Sequence, residues 1–325
     1  MIAPVYAAAE NRYECGMQYR RAGRSGVPAI SLGLWHNFGD VDTLSLSRKK
    51  LHYAFDHGIT HFDLANNYGP SYGSAEETFG QIIKSSLAPY RDELFISTKA
   101  GPYGNGGSRK HLMASLDQSL KRMNLEYVDV FYSHRYDPET PLEETLQTLV
   151  DIVHQGKALY VGLSKYPLEA YLFASRYLKE RDVPCLLYQG RYSMLVREPE
   201  SQGILKAVKE NGAGFVAFSP LAQGLLTNRY LNGIPEDSRI ARGGFLKKEA
   251  LTPEVLRKIQ ALNERARMRG QSLAEMALAW LLRDTSVTSV LVGASSVEQL
   301  GDSLKALDNL SFVEDELRSI DEILA

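Results

Sequence analysis

Asp63, Tyr68, Lys99 and His134 are the residues of this 325-residue chain whose types and spacing best suit moving a proton onto a carbonyl oxygen. Reducing a carbonyl needs an acid for the developing alkoxide, and a free tyrosine, with a pKa of about 10, holds its proton too tightly. A neighbouring ammonium corrects this. Lys99, at the end of LFISTKA, is placed to supply that charge to Tyr68, while Asp63, at the end of THFDLA, orients and neutralises the lysine. His134 closes YVDVFYSH, where it can hydrogen-bond a substrate carbonyl and fix its angle of attack. Singly, a buried Asp or Lys at a strand end is more often a structural ion pair. Their joint placement argues for chemistry.

That placement has meaning only if strands bring the residues together. Short apolar or β-branched runs recur at ISLGLW, THFDLA, LFISTKA, YVDVFYSH, ALYVGLS, CLLYQG, GFVAFSP and VTSVLVGAS, each bounded by turn residues and too short for a helix. Amphipathic helical stretches lie between them, such as SAEETFGQIIKSSL and TPLEETLQTLVDIVHQG. Capping boxes are expected at Ser74 with Glu77, Thr140 with Glu143, Ser272 with Glu275 and Ser296 with Gln299, with Pro141 tolerated in a first turn. Eight strand–helix units are the number that closes a parallel barrel, so the expected fold is α/β, a (β/α)8 TIM barrel. The segment YRRAGRSGVPA predicts an N-terminal β-hairpin turning around Gly23 to Gly26. A doubly wound sheet is disfavoured because the first strand does not lead into G-x-G-x-x-G. In a barrel the strand ends converge on one face, which gathers Asp63, Lys99 and His134, with Tyr68 just beyond a strand.

Composition bounds the remaining choices. With 44% apolar and 23% charged residues the chain can bury a sizeable core, and residues 1–325 are expected to form one domain. Within it, residues 223–270 read as a long cofactor-side loop with an extra helix. The net charge of -2, with scattered basic residues, offers no stripe for nucleic acid. Cys15 and Cys185 form no CxxC pair, which disfavours a disulfide framework or thiolate metal site and fits a cytoplasmic location. The first residues lack a signal-peptide pattern, and no run reaches about 18 apolar residues, so secretion and membrane spanning are not expected. His57 and His61 lack helical metal-ligand spacing and read as ordinary turn or core histidines; no metal is expected.

The motifs FDLANNYG, STKAG and SHR, in this order, resemble the signature of the aldo-keto reductase superfamily. The resemblance extends through YRRAGRSG, SLGLWHNFGD, GSAEETFG, DPETPLEETLQTL, GKALYVGLS, FSPLAQGLLTNRYLNGIP and GQSLAEMALAWLL, and within the superfamily it is strongest to the L-glyceraldehyde 3-phosphate reductase group. It implies catalytic roles for Asp63, Tyr68, Lys99 and His134, and NADPH as hydride donor. Cofactor contacts carried over with it are Trp35 and Asp63 near the nicotinamide, and Ser164 and Gln189 on the carboxamide. Phe218, replacing a common tyrosine, keeps an aromatic surface for stacking. Ser219, Leu221, Gln223 and Gly224 resemble the loop that wraps the pyrophosphate. Gly293 and Ser295 precede a helix whose amides favour a phosphate, Gln299 is expected by adenine, and Ser303 stands where asparagine is common. Ser296 replaces a common basic residue; Arg229, Arg239 or Arg242 from the long loop can substitute for it, or be surface charge of a solvated loop.

A dry pocket is expected from Trp35, Tyr68, Tyr132, Tyr166 and Tyr192, each of which equally suits packing. Arg135 either attracts a phosphorylated aldehyde or points outward into a salt bridge, the latter being slightly favoured by strand alternation. The expected substrate is a small aldehyde, such as L-glyceraldehyde 3-phosphate or a methylglyoxal-like compound. A homo-oligomer, tetrameric or octameric, is implied by the resemblance. Two other readings stand beside the reductase: a cofactor-binding regulatory subunit resembling potassium-channel β subunits, and a Schiff-base barrel enzyme with Lys99 as nucleophile.

Overall fold

The computed structural model describes residues 6–36, 38–100, 106–236, 238, 240–241 and 246–325. Its chain begins with a hairpin of β1 (Tyr19–Ala22) and β2 (Ser25–Pro28), paired antiparallel from Tyr19 opposite Pro28 to Ala22 opposite Ser25. Gly23 makes the turn possible with a φ of 52°, a left-handed conformation open to glycine without a Cβ penalty.

Eight parallel strands follow: β3 (Ile30–Gly33), β4 (His61–Asp63), β5 (Phe95–Ala100), β6 (Val128–Ser133), β7 (Ala158–Ser164), β8 (Cys185–Arg191), β9 (Gly214–Phe218) and β10 (Ser289–Val292). They close into a barrel in chain order, with β10 pairing both β9 and β3. The expected fold, hairpin and strand assignments are therefore observed. Apolar residues on both faces explain the near-continuous hydrophobic runs, since the inner face fills the barrel and the outer face meets helices. Val130, Tyr132, Leu187, Val216 and Leu291 pack together, and Ala22 and Val27 of the hairpin join the same cluster as its floor.

The helices cover the outside by their apolar stripes. Leu142–His154, for example, buries Leu146, Leu149, Val150 and Ile152. Three of the four expected capping boxes are corrected, the one at Ser296 being only half formed. Ser74 lies inside its helix, Ser74–Ile82, because left-handed Gly73 takes the cap position. Thr140 gives its hydroxyl to Asp137 at 2.7 Å, so Pro141 becomes a cap without a side-chain bond to helix Leu142–His154. Asp137 wins there because its carboxylate also accepts from the backbone amides of Gly107 and Glu139. The Ser272–Glu275 box is complete. Ser296 caps the helix Val297–Leu304 through the Gln299 amide, whereas the Gln299 side chain turns to Ser295. Helix Pro253–Met268 lies in the long stretch after β9, and no helix of the described residues is long and apolar enough to cross a membrane.

Candidate functional site

Strand register sets the positions of the central residues. Asp63 ends β4 opposite Gly33 and Ser97, and Lys99 on β5 stands opposite Tyr132 on β6. The backbone ladder continues past the strands, with the His134 amide donating to Ala100 O at 3.0 Å and the Asn66 amide to Lys99 O at 3.0 Å. Tyr68 is carried round a tight turn, its amide donating to Ala65 O at 3.0 Å. Gly69 allows the turn: its φ is 97°, and a Cβ there would fall 2.0 Å from Ser74 Oγ.

These connections bring the four expected catalytic residues to the C-terminal mouth of the barrel. Lys99 Nζ donates to Asp63 Oδ2 and to Leu64 O, both at 2.6 Å, and both side chains are buried. The ammonium lies 4.9 Å from the centre of the Tyr68 ring. His134 meets the same ring edge-on at 6.2 Å, and Trp35 lies 6.3 Å from it.

The electrostatics differ from the expectation of a phenol made more acidic. Burial pushes the Tyr68 phenol well above the ordinary tyrosine value, and the Asp63 charge pushes it further the same way. Burial also lowers the Lys99 ammonium, against the opposing pull of Asp63. The reason is that the lysine's positive charge is engaged by a carboxylate and a carbonyl, so its effect on the phenol is largely offset. Tyr68 thus keeps its proton throughout the neutral range.

A further set of residues escaped the sequence reading. Asp63 Oδ1 accepts from Ser97 Oγ at 2.7 Å and from Gln189 Nε2 at 3.1 Å. Ser97 Oγ meets His61 Nε2 at 2.9 Å, and His61 Nδ1 meets Ser31 Oγ at 2.9 Å. Ser31 Oγ in turn lies 2.6 Å from Ser289 Oγ. His61 is a core residue, as expected, but one embedded in a buried polar chain that reaches Asp63. Strand alternation held the signal: His61 and Ser97 each precede a central residue by two positions and share its face. His57 ends the helix Leu44–Asp56 and bonds Tyr53 O through Nδ1.

The expected cofactor contacts can be tested for fit from the residues themselves. Ser164 is wholly buried at the end of β7, and its hydroxyl has no hydrogen-bond partner. A buried orphan hydroxyl is costly, so it suits a polar ligand such as a carboxamide. Gln189 stands directly opposite it on β8. After β9, Ser219, Ala222 and Gln223 all have positive φ, at 54°, 47° and 60°, beside Gly224 at 103°. The run is a tight turn closed on itself, the Ala222 amide donating to Ser219 O at 2.9 Å and the Gly224 amide to Leu221 O at 2.8 Å. Phe218 and Trp35 are both partly exposed.

At the far side, Gly293 and Ser295 are exposed before the helix Val297–Leu304. Gln299 accepts from Ser295 Oγ at 2.7 Å, and Ser303 Oγ donates to Gln299 O at 2.9 Å, so both polar groups are engaged locally. Arg229 is exposed, its amide donating to Thr227 Oγ1, while Arg239 and Arg242 lie outside the described residues. Among the aromatics expected in the pocket, Tyr166 and Tyr192 are packing residues. Tyr166 donates to Ser133 Oγ at 2.9 Å, and Tyr192 packs against Trp280 and Phe215 while bonding Glu200. Tyr132 is fully buried inside the barrel. Among the described residues no group of His, Cys, Asp and Glu is arranged to hold a metal ion.

A closed parallel barrel with this residue set at its C-terminal mouth defines a class, the barrel oxidoreductases of carbonyl groups. The chain belongs to the aldo/keto reductase family, whose model matches residues 29–325. It is 56% identical to L-glyceraldehyde 3-phosphate reductase of Escherichia coli O157:H7, over 99% of this chain and 96% of that one. It is 36% identical to a probable voltage-gated potassium channel subunit beta of Arabidopsis thaliana, over 90% of this chain and 92% of the relative. Among solved structures it resembles the thermostable aldo-keto reductase Tm1743 in complex with the inhibitor epalrestat, with a TM-score of 0.74 and 29% identity, covering 94% of this chain and 100% of that one.

Proposed function

We propose that this protein reduces small aldehydes to alcohols with NADPH, and that Tyr68 is the general acid. The observation that carries the reading is the buried Lys99–Asp63 pair, its ammonium 4.9 Å from the centre of the Tyr68 ring, with His134 meeting that ring at 6.2 Å. NADPH, when bound, would supply the hydride for the carbonyl carbon. Tyr68 then passes its phenolic proton to the oxygen, which as an alkoxide is a stronger base than a phenolate, so a raised phenol pKa does not prevent the transfer. His134 orients the carbonyl, and the Lys99–Asp63 pair supports the Tyr68 ring from inside the barrel mouth. Ser164 and Gln189 are the residues suited to hold the carboxamide, Phe218 and Trp35 to face the ring, and the Ser219 to Gly224 loop to wrap the pyrophosphate.

The substrate class we favour is a phosphorylated aldehyde, such as L-glyceraldehyde 3-phosphate. Arg135, Lys165 and Arg191 follow or end β6, β7 and β8, and all three are exposed at the mouth. None forms a salt bridge with a described residue, so the outward ion pair expected for Arg135 is not found. Lys165 Nζ leans to 5.2 Å from the Phe218 ring, two strands away. Partial burial, and then the positive charges of Lys99 and Arg135, hold its ammonium below the ordinary lysine value, a field that an anion would relieve.

The test is a spectrophotometric assay of NADPH and NADH oxidation over a panel that pairs each aldehyde with its phosphorylated form. Rapid oxidation with preference for the phosphorylated member supports the proposal, whereas very slow turnover with every aldehyde favours a regulatory, cofactor-holding subunit. We place the protein in the cytoplasm as a homo-oligomer, which light scattering on the purified chain tests.

A further inference from the structure

We infer that His61 and Ser97 are positioning residues that hold Asp63, and through it Lys99, by a proton-ordered chain. The five residues Ser289, Ser31, His61, Ser97 and Asp63 come from the four adjacent strands β10, β3, β4 and β5, and each is at most 1% exposed. With water excluded, every proton in the chain must be accounted for by its members.

That accounting has one solution. Asp63 is ionised against Lys99 and can only accept, so the single hydroxyl proton of Ser97 points to Asp63 Oδ1. Ser97 then accepts at its other bond, so His61 must carry a proton on Nε2. Burial lowers the His61 pKa to about 4, which leaves the ring neutral and Nδ1 an acceptor. Ser31 therefore donates to Nδ1, and Ser289 donates to Ser31. All the dipoles point one way, toward the carboxylate. The opposite tautomer would turn the Ser97 proton to His61 and strip Oδ1 of a bond, leaving Gln189 as its remaining side-chain donor.

The consequence is geometric. Oδ1 is fixed by Ser97 and Gln189, which leaves Oδ2 facing Lys99 Nζ at 2.6 Å and sets the ammonium near the Tyr68 ring. The inference rests on the proposed roles of Asp63 and Lys99 in turnover, but the tautomer does not, so the two can fail separately.

Long-range proton–nitrogen NMR on histidine-labelled protein at neutral pH, with the His61 signal identified by its loss in His61→Gln, reads the tautomer directly. A protonated Nε2 with a bare Nδ1 is expected. A protonated Nδ1, or a charged ring, overturns the chain. Kinetically, Ser97→Ala should lower kcat roughly tenfold while KM and the NADPH dissociation constant stay within about twofold, and Ser97→Thr, which keeps the hydroxyl, should restore most of the rate. An unchanged kcat in Ser97→Ala overturns the positioning role. If Ser97→Ala does not fold, the tautomer measurement on the parent chain still decides. Absence of any carbonyl reduction in the parent chain, with the expected tautomer present, sinks the proposed function and leaves the proton order standing.

Discussion

Tyr68 lies in surroundings that discourage its ionisation, and for the acid we propose this decides the behaviour with pH. Burial and the Asp63 charge both raise its pKa, so the reduction rate should hold through neutral and mildly alkaline pH instead of falling near the ordinary tyrosine value. Tyr68→Phe should reduce kcat by roughly 100-fold to 10,000-fold with little change in cofactor affinity, measured by steady-state rates beside a fluorescence titration. A second residue prediction concerns His61. Burial holds its folded pKa at about 4, below the ordinary histidine value of 6.5, so between those values the unfolded chain binds the extra proton and the folded chain does not. Stability should therefore fall as pH drops from about 6.5 to about 4, by at most about 3 kcal/mol from this group, and the loss should stop growing below that window. Urea midpoints across pH, compared between the parent chain and His61→Gln, read this: the variant should show a shallower acid decline.

At the scale of elements, close approach between strands explains residues that no catalytic argument needs. Gly162 on β7 stands opposite Tyr132 on β6, and a Cβ at 162 would lie 2.3 Å from ring carbons of that fully buried tyrosine. Gly162→Ala should destabilise by about 1–3 kcal/mol, seen as a lower urea midpoint, because neither ring nor backbone has room to move. Helix ends offer a milder case. Ser272→Ala removes one half of a complete capping box on the helix Leu273–Leu281 and should cost about 1 kcal/mol, measured by thermal unfolding. A Thr140→Ala change, by contrast, breaks a turn bond to Asp137 and leaves no cap undone.

For the whole molecule, the hairpin is a structural floor as well as an N-terminal decoration. The Gly23 amide donates to Gly212 O, and the Arg20 guanidinium donates to the carbonyls of Leu282, Asp284 and Val287 at 2.6, 3.0 and 2.8 Å. The first strands are thereby tied to the segment between the helix Leu273–Leu281 and β10, joining the two ends of the barrel sequence. Arg20→Ala should lower stability by about 2 kcal/mol, since it leaves partly buried carbonyls without their charged donor. The measurement is again the urea midpoint, and an unchanged value would show the floor to be held by Ala22 and Val27 alone.

How much of this the chain disclosed by itself follows from the range of the forces involved. Strand count, closure, the hairpin and the four central residues were legible because apolar periodicity is local, and a barrel converts strand ends into neighbours without further information. The family resemblance named Ser164 and Gln189 at positions where the structure finds a buried orphan hydroxyl and its cross-strand partner. The cap at Thr140 was not legible, because Asp137 competes for its hydroxyl from outside the helix motif. Nor was the direction of the Tyr68 shift, since it depends on whether Lys99 faces the phenol or is engaged by Asp63 and Leu64. The polar chain through His61 joins residues from positions 31 to 289, and only closing β10 against β3 brings its two ends within a hydrogen bond. Local pattern determined which residues meet at the mouth; burial and register decided which proton each of them holds.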